Sequence, residues 1–146
     1  MIIIKKIKKN KGFVILFAVT LSSILLAISL GVANIALKEI KFGTSAKDTN
    51  DAFFAADTAI EYALFNDKPP SSSFVPSPGT LQTWDFVVPN LGGGGISCAK
   101  VNVEKDNTNP PSTTTRIISK GYNIGDPVTC SSSNPDRIER ELKITY

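Results

Sequence analysis

Apolar positions run unbroken from Phe13 to Leu37, FVILFAVTLSSILLAISLGVANIAL, and then become periodic. The unbroken stretch has 25 residues and no charge. As a helix it would be about 37 Å long. That is enough to cross a hydrocarbon core of about 30 Å with some tilt. A buried helix of a soluble domain fits poorly. A lysine cluster flanks the run, and no second comparable block exists to bury it. A secretory signal also fits poorly, since its apolar region would span only about 7–15 residues. Ala33-Asn34-Ile35-Ala36 is a poor cut site, and helical sequence continues past it.

Beyond Leu37, the positions Phe42, Ala46, Phe53, Ala56, Ile60 and Leu64 fall close to an i, i+4, i+7 pattern. This predicts an amphipathic extension over 38–65. The extension has no proline, and Gly43 is its only glycine. Gly43-Thr44-Ser45 is a potential loosening point, with Ser45 or Asp48 placed to cap a second start. Unbroken, residues 13–65 would form a rod of about 80 Å.

The pattern changes again at Asn66. Lys68-Pro69-Pro70-Ser71-Ser72-Ser73 breaks the helix. Short β-type runs follow at 83–88, 96–105, 114–122 and 138–146, with Gly92–Gly95 and Asp106–Ser112 between them as loops. In the last run Ile138, Leu142, Ile144 and Tyr146 point one way, and Glu139, Glu141, Lys143 and Thr145 the other. Arg140 interrupts the apolar side. The predicted fold is α+β. A small four-stranded antiparallel sheet packs on the outer half of a long N-terminal helix.

Charge divides the chain in the same place. The net of +3 comes from 16 basic and 13 acidic residues. Lys5, Lys6, Lys8, Lys9 and Lys11 stand before the apolar run with no acid. Residues 12–146 carry a net of −2. There is therefore no case for nucleic acid. Five lysines before the run face Lys38, Lys41 and Lys47 after it. The larger basic cluster predicts a cytoplasmic N-terminus and an extracytoplasmic C-terminal part.

There is no histidine in 146 residues, so Ser-His-Asp and Cys-His sites cannot be built from this chain alone. No catalytic residue, metal site or cofactor is expected. Asp57 and Glu61 share a helix face at i, i+4 and read as a solvated or subunit-pairing face. Gly92–Gly95 lacks the Gly-Lys-Ser/Thr of a phosphate loop. Asp85, Asp106, Asp126 and Asp136 lack the spacing of a calcium loop. Trp84 and Phe86 are expected in the core. Cys98 and Cys130 lie 32 residues apart in the part placed outside the cytoplasm, which favours a disulfide. Free buried thiols and bonds between subunits are the alternatives. Within the apolar run, Ser23, Ala27 and Gly31 form a small-xxx-small stripe suited to close helix packing in lipid. Asn34 is placed to hydrogen-bond a neighbouring helix.

The junction Lys8-Lys9-Asn10-Lys11-Gly12-Phe13, followed by an apolar helix, resembles the type IV prepilin signal. The resemblance implies cutting between Gly12 and Phe13 by a prepilin peptidase, with methylation of the new N-terminus. Residues 1–12 would be the leader, 13–37 the transmembrane helix, 38–65 its extension and 66–146 the outer domain. Ala52-Phe53-Phe54-Ala55-Ala56-Asp57-Thr58-Ala59-Ile60-Glu61 looks like the AFxAAExxxE segment of PilX-type minor pilins and K-type pseudopilins. Phe53, Ala56, Asp57 and Glu61 carry that likeness, with Asp57 a shortened version of the first acid. Most pilins have glutamate at mature position five, where this chain has Phe17. The proline common near mature position 22 is replaced by Asn34.

These departures imply a minor pilin or pseudopilin in a tip or priming role, rather than a major filament subunit. The implied partners are the peptidase, other pilin or pseudopilin subunits, an inner-membrane assembly platform and the lipid bilayer. The implied location is the inner membrane or a surface filament. An uncleaved single-pass protein with an extracytoplasmic binding domain is the alternative.

Overall fold

The computed structural model describes residues 11–68 and 72–146. Helix α1 runs Lys11–Asn66. Four strands follow: β1 Leu81–Leu91, β2 Ser97–Asn109, β3 Ser112–Tyr122 and β4 Glu139–Thr145. They form one antiparallel sheet in the order β1-β2-β3-β4. The arrangement is α+β, with one long N-terminal helix packed on a four-stranded antiparallel sheet. Helical assignment continues through Gly43-Thr44-Ser45. A division of the chain into two compact units nevertheless falls there, between Gly43 and Thr44.

The first unit is helical across its described residues. Every residue from Gly12 to Gly43 is exposed. This is one helix long and apolar enough to span a membrane, near the N-terminus. Its hydroxyls are satisfied internally. Thr20 donates to the Phe17 carbonyl at 2.9 Å, Ser22 to Ala18 at 2.7 Å, Ser23 to Thr20 at 2.8 Å and Ser29 to Leu25 at 2.8 Å. Such back-bonding lets hydroxyls sit in a helix without water.

The second unit is the two-layer domain. Alternation along the strands puts Trp84, Phe86 and Val88 of β1 on the face that meets the helix. Ala99, Val101 and Val103 of β2 join them, with Ile117 of β3 and Leu142 and Ile144 of β4. Phe74, from the segment after the helix, stacks on Phe86 at 5.9 Å and tilts against Trp84 at 5.7 Å. The opposite face is polar. Arg116 pairs with Glu104, Lys120 with Glu139 and Glu141, and Asn102 donates to Asp85. This is the ordinary solution for an antiparallel sheet with one solvated face.

Two sequence expectations are corrected. The helix meets the sheet through Ala52, Ala55, Ala56, Ala59, Ile60 and Ala63, all buried. Phe42 and Phe53 belong to the exposed surface instead. The reason is distance. A Cβ added to Gly121 would lie 2.1 Å from the Ala52 carbonyl oxygen and 2.3 Å from the Ala56 nitrogen. Backbones this close admit only small side chains between them. The second correction concerns 106–112. β2 runs to Asn109 and β3 begins at Ser112, so most of that segment is strand, with a two-residue turn at Pro110-Pro111.

Candidate functional site

Gly12 and Phe13 lie in the first turns of α1 and are exposed. Most of the expected leader, residues 1–10, lies outside the described residues. A peptidase needing extended backbone at Gly12-Phe13 would have to unwind that turn. Glycine lowers the cost of unwinding, because it gains the most freedom on leaving a helix. A side chain at Gly12 would meet nothing within 4 Å.

Phe17, Ser23, Ala27, Gly31 and Asn34 are all exposed. Phe17 stacks on Phe13 with centroids 6.5 Å apart. Ser23 spends its hydroxyl on its own helix, so its position offers a small surface without an unpaired donor. Gly31 is open, with nothing within 4 Å of an added Cβ. The stripe therefore remains free for another helix.

The family-like segment splits by role. Ala52, Ala55, Ala56 and Ala59 face the sheet, while Phe53, Phe54, Asp57 and Glu61 face outward. Asp57 and Glu61 have no salt bridge among the described residues. Ala56 is thus an internal packing residue, and the two acids form a solvated face.

Cys98 and Cys130 are joined, with Cα atoms 5.8 Å apart. The bond ties β2 to the segment between β3 and β4. That segment folds back onto the outer sheet face, where Cys98, Tyr122 and Cys130 are buried beside Val87. Arg137 holds it there. Its guanidinium stacks 3.7 Å from the Tyr122 ring centroid and donates to the Cys130 carbonyl at 2.6 Å. Gly125 passes so close that a Cβ would sit 2.3 Å from Cys98 Sγ. Asp126 accepts bonds from Val128 N, Thr129 N, Thr129 Oγ1 and Ser131 N. These donors hold its carboxyl well below the usual range. Asp126 and Asp106, which accepts from Thr108, are therefore consumed by their own turns.

One cluster lies outside the sequence expectations. Asp67, just past the helix, is buried and accepts from Lys105 Nζ, from Ser72 Oγ at 2.8 Å and from Tyr146 Oη at 2.7 Å. Burial raises its carboxyl pKa, but the bonds from Lys105, Tyr146 and Ser72 outweigh this, and the net shift is downward. Tyr146 is pushed up to about 12 by burial and by the Asp67 carboxylate. The available signal was Lys105 on the inward-facing alternation of its strand. A lysine there requires an acid. The cluster's chemistry is that of a latch, since Lys105, Ser72 and Tyr146 all donate to the one carboxylate.

No family model matches the chain, and neither curated proteins nor solved structures give a match.

Proposed function

We propose that this chain is a structural minor pilin or pseudopilin-like subunit, processed after Gly12 and assembled through its N-terminal helix. The observation that supports this is the fully exposed apolar helix, 57–71% open at residues such as Phe13, Phe17 and Val32. Exposed apolar surface of this extent requires a cover. Lipid can supply it in the membrane and neighbouring helices in a filament. The same surface serves both states, which suits a subunit stored in a bilayer and then lifted out.

In this reading a prepilin peptidase removes residues 1–12 at the inner membrane, and Phe13 becomes the first residue. The N-terminus starts in the cytoplasm and the domain lies outside it, where the Cys98–Cys130 bond can form. Ser23, Ala27 and Gly31 let neighbouring helices approach, and Asn34 offers a hydrogen bond across that contact. Phe17 cannot pair with a neighbour's N-terminal amine, which favours a low-copy tip or priming role over the main filament.

Intact-mass measurement on protein from membranes with an active prepilin peptidase tests the reading. The expected chain begins at Phe13, with or without one added methyl group. A chain retaining residues 1–12 would overturn the processing step. Replacing Gly12 with a bulky residue should block the cut, and unchanged maturation would count equally against it.

A further inference from the structure

The two edges of the sheet differ. β4 carries Glu139, Arg140, Glu141 and Lys143 within seven residues. β1 has eleven residues and one charge, Asp85. Long edges with little charge are templates for another strand. Among the described residues, no backbone hydrogen bond reaches the outer side of β1.

The direction of the free groups follows from one pair. Thr115 and Tyr146 exchange both backbone hydrogen bonds, at 2.7 and 3.0 Å. Bonded and non-bonded pairs alternate along an antiparallel ladder. Even-numbered residues of β4 therefore bond to β3, and odd ones turn their N–H and C=O outward. Carried through the registers of β3 and β2, the same alternation turns Thr83, Asp85 and Val87 of β1 outward.

We propose that copies of this chain pair edge to edge, β1 of one against β4 of the next, with Asp85 opposite Lys143 of the next copy. β1 and β4 run antiparallel within the sheet. Copies in one orientation therefore present them antiparallel to each other. The outward-turned residues meet in this register, so donors face acceptors. The faces agree too. Trp84 comes opposite Ile144, and Phe86 opposite Leu142, all on the side of the helix. Val88 meets the stem of Arg140, Val87 meets Glu141, and Thr83 meets Thr145.

Other registers do worse. A shift of one residue sets apolar faces against polar ones. A shift of two sets Asp85 against Glu141, two acids, or against Thr145, which loses the ion pair. Asp85 and Lys143 have no ion pair of their own among the described residues, whereas Glu139 and Glu141 already face Lys120. Beside β1 lies a groove of about 470 Å³ lined by Tyr62, Phe74, Phe86 and Val88, open to side chains from an added strand.

The competing arrangement pairs β1 with β1 of a two-fold copy. Residues 52–56 of the helix lie over Gly121, at one end of β3, and Asp67 meets Lys105 near the other end. A two-fold axis normal to the sheet would put the two arriving helix ends at opposite ends of the pair. Copies paired β1 to β4 instead bring residues 44–66 in from the same end, as entry from one bilayer asks. That choice rests on the membrane-anchored reading above. The remaining contact is heterologous, one copy offering β1 and the next β4, so a short run of copies suits a low-copy tip or priming complex.

The test is cysteine cross-linking of the full-length chain carrying Asp85→Cys and Lys143→Cys, oxidised in membranes. Within one chain these positions stand on opposite edges, about 14 Å apart by strand spacing. A disulfide requires Cα atoms within about 7 Å. A ladder of dimers and higher multimers is expected on non-reducing gels, lost in either single variant. A second pair, Thr83→Cys with Thr145→Cys, should also give the ladder. In that background Asp85→Lys should remove it, and adding Lys143→Asp should restore it. Absence of multimers while the Cys98–Cys130 bond is intact would overturn the proposal. Dimers from Asp85→Cys alone would also overturn it, by showing the two-fold pairing. N-terminal processing is read on the same samples. A ladder without processing sinks the filament reading and leaves the edge contact standing. Processing without a ladder does the reverse.

Discussion

Gly121 sits directly beneath Ala52, with 2.1 Å between a β-carbon placed on the glycine and the alanine carbonyl oxygen. The neighbour is backbone in a helix, so it cannot swing aside. Gly121→Ala is expected to destabilise the domain by about 3 kcal/mol, the upper part of the range for overpacking. Chemical denaturation of the detergent-purified chain measures it. A change under about 0.5 kcal/mol, the scale of an ordinary surface substitution, would refute the close approach.

Ser119 lies on the same face of β3, fully buried, and its hydroxyl has no hydrogen-bond partner among the described residues. Removing an unsatisfied buried hydroxyl relieves a desolvation penalty. Ser119→Ala is therefore expected to be neutral or stabilising by about 1 kcal/mol. A loss of that size in the denaturation midpoint would reveal a partner for the hydroxyl.

The disulfide closes a separation of 32 residues, which corresponds to about 3–4 kcal/mol on the loop-entropy account. Replacing both Cys98 and Cys130 with serine should lower stability by that amount and uncover Tyr122 and Val87. Proteolysis should then cut first within residues 123–138. An unchanged digestion pattern would show that Arg137 and Asp126 hold the segment without the bond.

The Asp67 latch sets two pH limits. Asp67 has a lowered carboxyl pKa, so its contribution is full above the ordinary 3.8 and is lost as pH falls through the lower folded value. Tyr146 is raised from 10.0 to about 12, so its contribution is full below pH 10.0 and is lost as pH rises toward 12. Tyr146→Phe should cost about 1 kcal/mol near neutrality and flatten the alkaline decline. Denaturation midpoints at neutral pH and at about pH 11, above the ordinary tyrosine pKa, decide this. Parallel curves for the two proteins would remove Tyr146 from the latch. Lys105→Met, which strips the buried acid of its cation, should cost about 3 kcal/mol.

Much of the fold was readable from periodicity. The helix expected at 13–65 is Lys11–Asn66, and four strands stand where alternation placed them. The disulfide is the favoured one of three states open to two cysteines in a part expected outside the cytoplasm. The helix face that meets the sheet is marked by small residues, not bulky ones. Phe42 and Phe53 fit a helical stripe numerically, yet Ala52, Ala55, Ala56, Ala59 and Ala63 fit one equally well. Choosing between them needed the depth of the partner surface, and that is set by Gly121, 58 residues further on. The Asp67 latch was hidden for the same reason. Lys105 and Tyr146 lie 38 and 79 residues from Asp67, and no local pattern links such positions.

The seam at Gly121 also determines how the domain carries load. β3 is an interior strand, held by β2 on one side and β4 on the other. Tension along residues 44–66 reaches the sheet there, by backbone contact, without a compliant layer of long side chains between. Load entering at Gly121 is shared between two ladders, those to β2 and to β4. The small side chains that make the core thin also make the joint stiff.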